Sequence, residues 1–498
     1  MQINLATQYS AAALGVTSVS DGMALIVAGG TARLIYSEAQ INRAMSLSLG
    51  DSSTAGNGFV SMQGLAAQQP MGNLDPGHGF AFQSTGSTIR TFVFDSHLGA
   101  LTQTVLGTTG APGISQIVHT DQGALIGVET FAMLGGVGGD HAAVSQWNLG
   151  GLRLFAVGAT GALTGTDQIR DSAKSYVANV SDTAAVTLAG TDYLLTLSSL
   201  ENGITSYAVD GEGKASLVDS LGNHDLLAVS GPAALQVMQV AGVTYAVIAA
   251  TGSSSLSVVR VNDMGCLFLT DHMVDDRSTR FDNTTALDSF AVAGRSFVVT
   301  AGTDAGVTVM EVLPNGHLQH FATGVFETGA GLAAVTGIEV AVSGTTVAIY
   351  VTDASANRIQ KLELPIATLG GQVDVRDGAA TGTAKADLIW GGNGPETLQG
   401  GGEDDFIFSG GGADVMTGGS GDDLFVMAAS TDNARITDYA QHADRIDLSA
   451  WGHVYTADAL TITATNTGAI IGLNGHDVTV VAGRSLSAAS FTDADFVF

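Results

Sequence analysis

Carboxylates recur every nine residues between Asp387 and Asp423. Five consecutive blocks, GTAKADLIW, GGNGPETLQ, GGGEDDFIF, SGGGADVMT and GGSGDDLFV, run unbroken from Gly382 to Val426. Each is a variant of G-G-x-G-x-D-x-U-x, with U a large apolar residue, the nonapeptide pattern of calcium-binding parallel β-helices. The sixth position holds Asp387, Glu396, Asp405, Asp414 and Asp423; the eighth holds Ile389, Leu398, Ile407, Met416 and Phe425. A glycine-rich linker with chance acids would not keep the eighth position apolar in register. The chemistry on offer is oxygen ligation of a hard cation. Ca²⁺ takes six to eight oxygens in a flexible shell, and glycine lets backbone carbonyls swing toward an ion.

This run resembles the repeat-in-toxin (RTX) proteins secreted by Gram-negative bacteria. The resemblance implies a parallel β-roll in which six residues of each block turn and three form a short strand. Ions then lie between turns of alternate blocks, held by carbonyls and the sixth-position carboxylate. On that basis the candidate ligands are Asp387, Gly391, Asn393, Glu396, Gly400, Gly402, Asp404, Asp405, Gly410, Gly412, Asp414, Gly419, Gly421 and Asp423. Thr383 and Lys385 replace glycines in the first block, Pro395 and Glu396 mark the second, and Glu403 takes the fourth position of the third. The best sites are therefore expected from Gly400 to Asp423, with partial ones before them and about three full sites in all. Without a cation such closely spaced carboxylates repel, so folding is expected to be coupled to calcium. Sites of extracellular affinity, on the order of 10⁻⁴ to 10⁻³ M, would stay empty in the cytosol and fill outside.

Beyond the blocks, Ile436-Thr-Asp-Tyr-Ala-Gln-His-Ala-Asp-Arg-Ile-Asp-Leu-Ser-Ala-Trp451 is similar to the I-x-D-F…D-x-I-D-L-S segment that caps the roll in protease and lipase members of the family. Asp444 and Asp447 would there either add a calcium site or cap turns. The last residues, Asp493-Ala-Asp-Phe-Val-Phe498, resemble an uncleaved type I secretion signal. The implied partner is a type I secretion apparatus, and the implied location is extracellular or at the surface of a Gram-negative bacterium. The N-terminus, MQINLATQYSAAALGV, has neither the basic nor the long apolar region of a Sec signal.

Residues 1–365 must be organised differently, because their repeat is longer. Alternating strands run into a turn and a Gly-x-Leu or a close relative. The marking glycines are Gly99, Gly161, Gly213, Gly265 and Gly316, at steps of 62, 52, 52 and 51. A second series, Gly190, Gly242, Gly294 and Gly344, precedes apolar strands at steps of 52, 52 and 50. Repeated units of about 50 residues and four strands argue for a β-propeller. Seven copies fit, the last closed by the first strand of the chain near Gln2 to Thr7, which removes an open sheet edge. The long first step is read as an exposed loop inserted at 134–143. By pattern this region resembles the seven-bladed propeller superfamily that includes lactonase-like proteins. The expected architecture is all-β: a propeller over 1–365, a linker over 366–381, an RTX roll over 382–426, and a β-rich cap with the export signal over 427–498.

The most polar propeller segment, Thr270 to Asp288, holds Asp271, His272, Asp275, Asp276, Arg280 and Asp282, side chains suited to acid–base or metal chemistry. Yet Asp167, Asp219 and Asp271 each lie six residues after a marking glycine, and Asp171 and Asp275 each lie ten after one. Residues that recur blade by blade are better read as turn caps or blade bridges than as catalysts. His78, His119, His141, His224 and His317 are scattered. No G-x-S-x-G elbow, H-E-x-x-H or Walker loop is present. No catalytic residue is assigned.

A net charge of −29 disfavours nucleic acid and anionic membrane surfaces. No stretch reads as a membrane span. Cys266 is the single cysteine, so no internal disulfide can form and stability must come from core or metal. Two functions are carried forward: a secreted calcium-dependent protein whose propeller is an interaction platform for an extracellular protein or glycan, and a secreted hydrolase or lactonase with its site at the propeller channel.

Overall fold

The computed structural model describes the backbone of residues 2–10, 19–28, 31–38, 43–48, 80–85, 88–95, 100–106 and 112–117, and of 128–498 apart from 137–138, 147–148, 159–162, 326–334, 354–356, 376–377, 430–432, 453 and 455. Side chains are described for 2–8 and from 128 onward, apart from those residues and 136, 139 and 149. Two compact units emerge: Met1–Phe290 with Ser296–Pro365, and Ala291–Arg295 with Ile366–Phe498.

Among the described residues, the first unit holds seven antiparallel sheets. The best-described blades run over Val128–Gly136, Gly139–Gln146, Leu149–Val157 and Leu163–Arg170; over Val180–Leu188, Thr191–Ser198, Gly203–Val209 and Ala215–Leu221; over Pro232–Val240, Val243–Ala250, Ser255–Val261 and Leu267–Val274; and over Ala286–Val292, Arg295–Ala301, Gly306–Val312 and Leu318–Val325. The last blade, Val335–Ser343, Thr346–Asp353 and Arg358–Pro365, takes its fourth strand from Asn4–Ser10, which pairs antiparallel with Arg358–Pro365. Arg358 Nη1 donates to Gln8 Oε1 across this junction (3.0 Å). The chain's first strand thus closes the last blade, where the sequence reading put it.

Burial follows strand position. Second strands such as Val243–Ala250 are buried almost throughout, whereas fourth strands such as Leu267–Val274 are mostly half-buried. Inner strands have a neighbouring blade on both faces and so read as nearly continuous apolar runs.

The marking glycines have a double duty. Gly213, Gly265 and Gly316 all take positive φ (73°, 77° and 82°), which L side chains rarely adopt. A Cβ on Gly265 would also lie 2.3 Å from Tyr193 Cε1, and one on Gly316 2.4 Å from Tyr245 Cε1. Each tyrosine belongs to the preceding blade and reaches into the same turn: Tyr193 Oη donates to Asp263 O (3.3 Å) and Tyr245 Oη to Pro314 O (2.9 Å). The period of 52 is therefore the period of a blade-to-blade clasp.

Residues 134–143 are not an exposed insertion. Val128–Gly136 and Gly139–Gln146 pair as first and second strands, and Leu134, Ala142 and Ala143 are buried. Among the described marking glycines, Gly213, Gly265 and Gly316 all fall between the third and fourth strands of their sheets. Gly99 and Gly161 themselves lie outside the described residues.

The second unit is a parallel roll. One sheet stacks Leu369–Asp374, Ala386–Trp390, Phe406–Phe408, Leu424–Val426, Arg445–Asp447 and Phe496–Val497. The other stacks Gly378–Thr381, Glu396–Gly402, Val415–Ser420, Ala434–Ile436 and His476–Val481, then turns antiparallel through Gly468–Leu473 and Thr461–Ala464. Within the blocks, partners are eighteen residues apart, as in Ile389↔Ile407↔Phe425 and Leu398↔Met416. One coil of the roll is thus two blocks. All five eighth-position side chains are fully buried in one core with Ile436, Ile446, Val478 and Phe496.

Two boundaries change. The stretch 366–381, read as a linker, contains the first coil: Leu369–Asp374 pairs parallel with Ala386–Trp390, and Gly378–Thr381 with Glu396–Gly402. Its sequence hides this because Val373 pairs with Ile389, only sixteen residues on, after a register shift. The expected cap likewise carries further rungs of both sheets, at Ala434–Ile436, Arg445–Asp447, His476–Val481 and Phe496–Val497.

Candidate metal centre

The eighteen-residue register creates two edges of stacked turns. The first edge carries turns 382–387, 400–405, 418–423 and the cap turn 438–444. The second carries turns 391–396 and 409–414. Stacking is so close that a side chain at most of the glycines would strike the next turn. A Cβ would come within 2.4 Å of Ser409 O at Gly391, 1.9 Å of Gly392 O at Gly410, 2.4 Å of Gly394 O at Gly412, 2.2 Å of Gly401 O at Gly419 and 2.2 Å of Glu403 O at Gly421. In blocks three to five, positions two and four take positive φ: Gly401, Glu403, Gly410, Gly412, Gly419 and Gly421. No residue of the first two blocks does. The backbone path thus differs between the first two blocks and the last three, and it does not follow glycine alone: Gly392 and Gly394 take no positive φ, while Glu403 takes φ 62°.

The sixth-position acids are all buried: Asp387, Glu396, Asp405, Asp414 and Asp423. One oxygen of most of them is used to hold the stack. Asp387 N donates to Asp405 Oδ1 (2.8 Å), Glu396 N to Asp414 Oδ1 (2.8 Å), Asp405 N to Asp423 Oδ1 (2.9 Å) and Asp423 N to Asp444 Oδ1 (3.1 Å). The other oxygen differs. Asp405 Oδ2 is buried with no hydrogen bond, and Glu396, 2% exposed, has neither oxygen paired. A carboxylate buried without donors costs several kcal/mol unless a cation or a proton neutralises it. Burial pushes the Asp405 carboxyl up to about 8, with Asp423, Asp387 and Asp404 adding repulsion against the amide of Asp387. Burial likewise pushes Asp423 up to about 6, with Asp444 and Asp438 adding to it. Acids crowded in this way, beside carbonyls of stacked turns, suit a hard divalent cation. The donor set fits calcium, with Glu396, Asp405, Asp414 and Asp423 as the carboxylates that would hold it.

Other candidates lie among the backbone contacts of the stack. Gly400 abuts its own turn's acid, since a Cβ there would lie 2.2 Å from Asp405 Oδ2. Gly402 has only ordinary contact with Ser420 Oγ at 3.4 Å, and Asn393 lies across from Gly411. Asp404 Oδ1 accepts Asp422 N (2.9 Å) at the exposed rim. Asp447 caps a turn through Ser449 N (2.8 Å).

Several groups that shape the site lie outside the nine-residue pattern. Asp438 takes Gly418 N and Gly419 N on its two oxygens (3.0 and 2.9 Å), closing the last block. Asp495, 1% exposed, anchors the terminal strand. Its oxygens accept His442 N (3.1 Å), Thr492 N (2.7 Å) and Thr492 Oγ1 (2.9 Å), with Tyr439 Oη at 3.4 Å. Burial, then Asp495, pushes the Tyr439 phenol well up.

The polar propeller segment resolves into structural hydrogen bonds. Asp167 Oδ2 accepts Ala215 N (2.9 Å), Asp219 Oδ2 accepts Leu267 N (2.9 Å) and Asp271 Oδ2 accepts Leu318 N (2.7 Å), each reaching the fourth strand of the next blade. Asp182 and Asp288 bridge in the same way to Leu235 N and Val340 N (2.8 Å each). Asp275 accepts Thr279 Oγ1 and Phe281 N, Asp276 caps Ser278, and Asp282 accepts Ser254 Oγ. His272 Nδ1 contacts Ser257 Oγ (2.9 Å), whose side chain is fully buried. His141 is buried against the turn at Gly213. His78 and His119 lie outside the described residues. Among the described residues, no group of three or more His, Cys, Asp or Glu side chains is arranged to hold a metal, and no helix is long and apolar enough to cross a membrane.

Residues 390–425 match the family model of the RTX calcium-binding nonapeptide repeat in four copies. No curated protein matches the chain. Among solved structures, a protein from Lactobacillus plantarum is similar at 15% identity over 65% of this chain and 93% of its own, with a TM-score of 0.41. The blade architecture stands on the strand pairing described above.

Proposed function

We propose that this chain is a secreted calcium-binding protein whose roll folds on calcium outside the cell and whose propeller, residues 1–365, serves as an extracellular interaction platform for a protein or glycan. The observation that carries it is the set of buried carboxylate oxygens left without donors, both of Glu396 and Oδ2 of Asp405, inside the repeat that matches the RTX model. When bound, calcium supplies positive charge and oxygen coordination. The chain's own part is to stack the turns, aim the carboxylates and seal them from water. Export belongs to the same reading: a type I apparatus of a Gram-negative bacterium would take the calcium-free chain by its last residues, 493–498. The platform role draws support from the blade-bridging duty that Asp271, in the most polar propeller segment, shares with Asp167 and Asp219.

The test is export in a Gram-negative host carrying a type I exporter, with and without residues 493–498, paired with equilibrium dialysis of the full chain against calcium. Export that depends on the tail, together with saturable calcium binding, is expected. Export that ignores the tail would overturn the route, and absence of calcium binding would overturn the reading of the roll.

A further inference from the structure

The four acids of the first edge do not share one environment. Asp387, at the entry, has both oxygens filled by protein donors. Oδ1 accepts Gly371 N (2.7 Å), while Oδ2 accepts Thr383 N (2.5 Å) and Thr383 Oγ1 (2.8 Å). Asp444, at the exit, is filled in the same way. Oδ1 accepts Asp423 N (3.1 Å) and Oδ2 accepts Ala440 N (2.7 Å). At both ends the closing donor is the amide four residues upstream. Between them, Asp405 and Asp423 each accept one amide on Oδ1, and neither has the closing amide on Oδ2.

The backbone explains the difference. Position two of the third and fifth blocks is Gly401 (φ 122°) and Gly419 (φ 111°). At the entry this position is Thr383, which does not take positive φ, and at the exit the cap turn presents Ala440. The ordinary backbone path of these two residues turns the amide toward the acid, and a carboxylate that accepts two or three such donors needs no counter-ion. The positive-φ path of glycine leaves Oδ2 without that donor, buried and close to a carbonyl. A Cβ on Gly400 would lie 2.2 Å from Asp405 Oδ2 and 2.5 Å from Gly418 O.

We propose that Asp387 and Asp444 are protein-held end stops, and that calcium on this edge is bound only through Asp405 and Asp423. The entry turn then forms without metal and gives the calcium-dependent coils a template to stack on, and the cap turn stops the stack at the other end. This rests on the reading of the roll as a calcium site and narrows it, since Asp387 is a sixth-position acid like the others and is removed from the ligand set.

Native mass spectrometry of the full chain in calcium counts the ions. Asp387→Asn and Asp444→Asn are expected to carry the same number as the unsubstituted chain, and Asp405→Asn and Asp423→Asn fewer. Loss of an ion in either end-stop variant overturns the proposal. An unsubstituted chain that carries no calcium overturns the roll reading instead, so the two failures are distinct. Should an end-stop variant not fold, long-wavelength anomalous diffraction from calcium-grown crystals of the unsubstituted chain decides the matter. Peaks are expected beside Asp405 and Asp423 and none within coordination distance of the Asp387 or Asp444 carboxylates; a peak at either end stop contradicts it.

Discussion

Asp405→Asn should act in opposite directions on the metal-free and calcium-loaded roll. In the folded, metal-free roll the Asp405 carboxyl sits at about 8, against an ordinary 3.8. A carboxyl raised by folding binds its proton more tightly in the folded state, so its favourable contribution is complete below the ordinary value and is lost as pH rises through the folded one. The interval spans roughly four pH units, and at about 1.4 kcal/mol per unit the metal-free roll loses on the order of 5 kcal/mol between acid and pH 8. Asparagine removes that loss. It keeps Oδ1 as acceptor for Asp387 N and places an amide where Oδ2 stood, beside Gly418 O. The assay is denaturant unfolding of the full chain in excess chelator from pH 5 to pH 8, followed by fluorescence of the roll's Trp390, stacked on Phe408 at 4.0 Å, and its buried Trp451. The unsubstituted roll should weaken with rising pH, while the variant should hold its structure at pH 8 and gain little from calcium. A variant weaker than the unsubstituted roll in chelator at pH 8, or with an unchanged pH slope, would refute the reasoning.

Other consequences follow from the same geometry. Gly265→Ala sets a Cβ against Tyr193 in a positive-φ turn and should lower the propeller's unfolding free energy by about 1–3 kcal/mol, read by denaturant melts, with calcium binding untouched. Asp219→Ala strands the amides of Ser220 and Leu267 and should cost about 1–3 kcal/mol in the same melts. Glu403→Gly removes a non-glycine residue from φ 62° and should raise the calcium-loaded roll's stability by up to about 1 kcal/mol. Phe425→Ala empties a fully buried core position and should destabilise the roll by about 3–5 kcal/mol even in calcium.

Sequence and structure agree where one signal is periodic and physically forced. The nine-residue spacing placed Ile389, Leu398, Ile407, Met416 and Phe425 in one core, because stacked turns leave a single inward position per block. The recurrence of Asp167, Asp219 and Asp271 revealed bridges rather than catalysts, because a bridge between equivalent blades must repeat. What stayed hidden breaks the period. The strand Leu369–Asp374 of the first coil pairs at an offset of sixteen residues instead of eighteen, so hydrophobic spacing alone reads the stretch as a linker. The duty of Asp387 turns on one backbone path at Thr383, which a motif count reads only as a missing glycine. Asp438 and Asp495 close the roll through contacts across twenty and more than fifty residues, beyond the reach of local spacing. The hairpin over 134–143 belongs to the regular first and second strands of a blade, which the length of a glycine step alone reads as an insertion.

The central claim is that calcium completes the fold of the roll. Circular dichroism and tryptophan fluorescence of the full chain, stripped of metal at pH 7.5 and then titrated with calcium, test it most directly. The account predicts a cooperative gain of β-structure and of buried-tryptophan signal that excess chelator reverses, with the propeller's own unfolding transition unchanged. A roll that shows the same spectra and the same melting transition with and without calcium would contradict it.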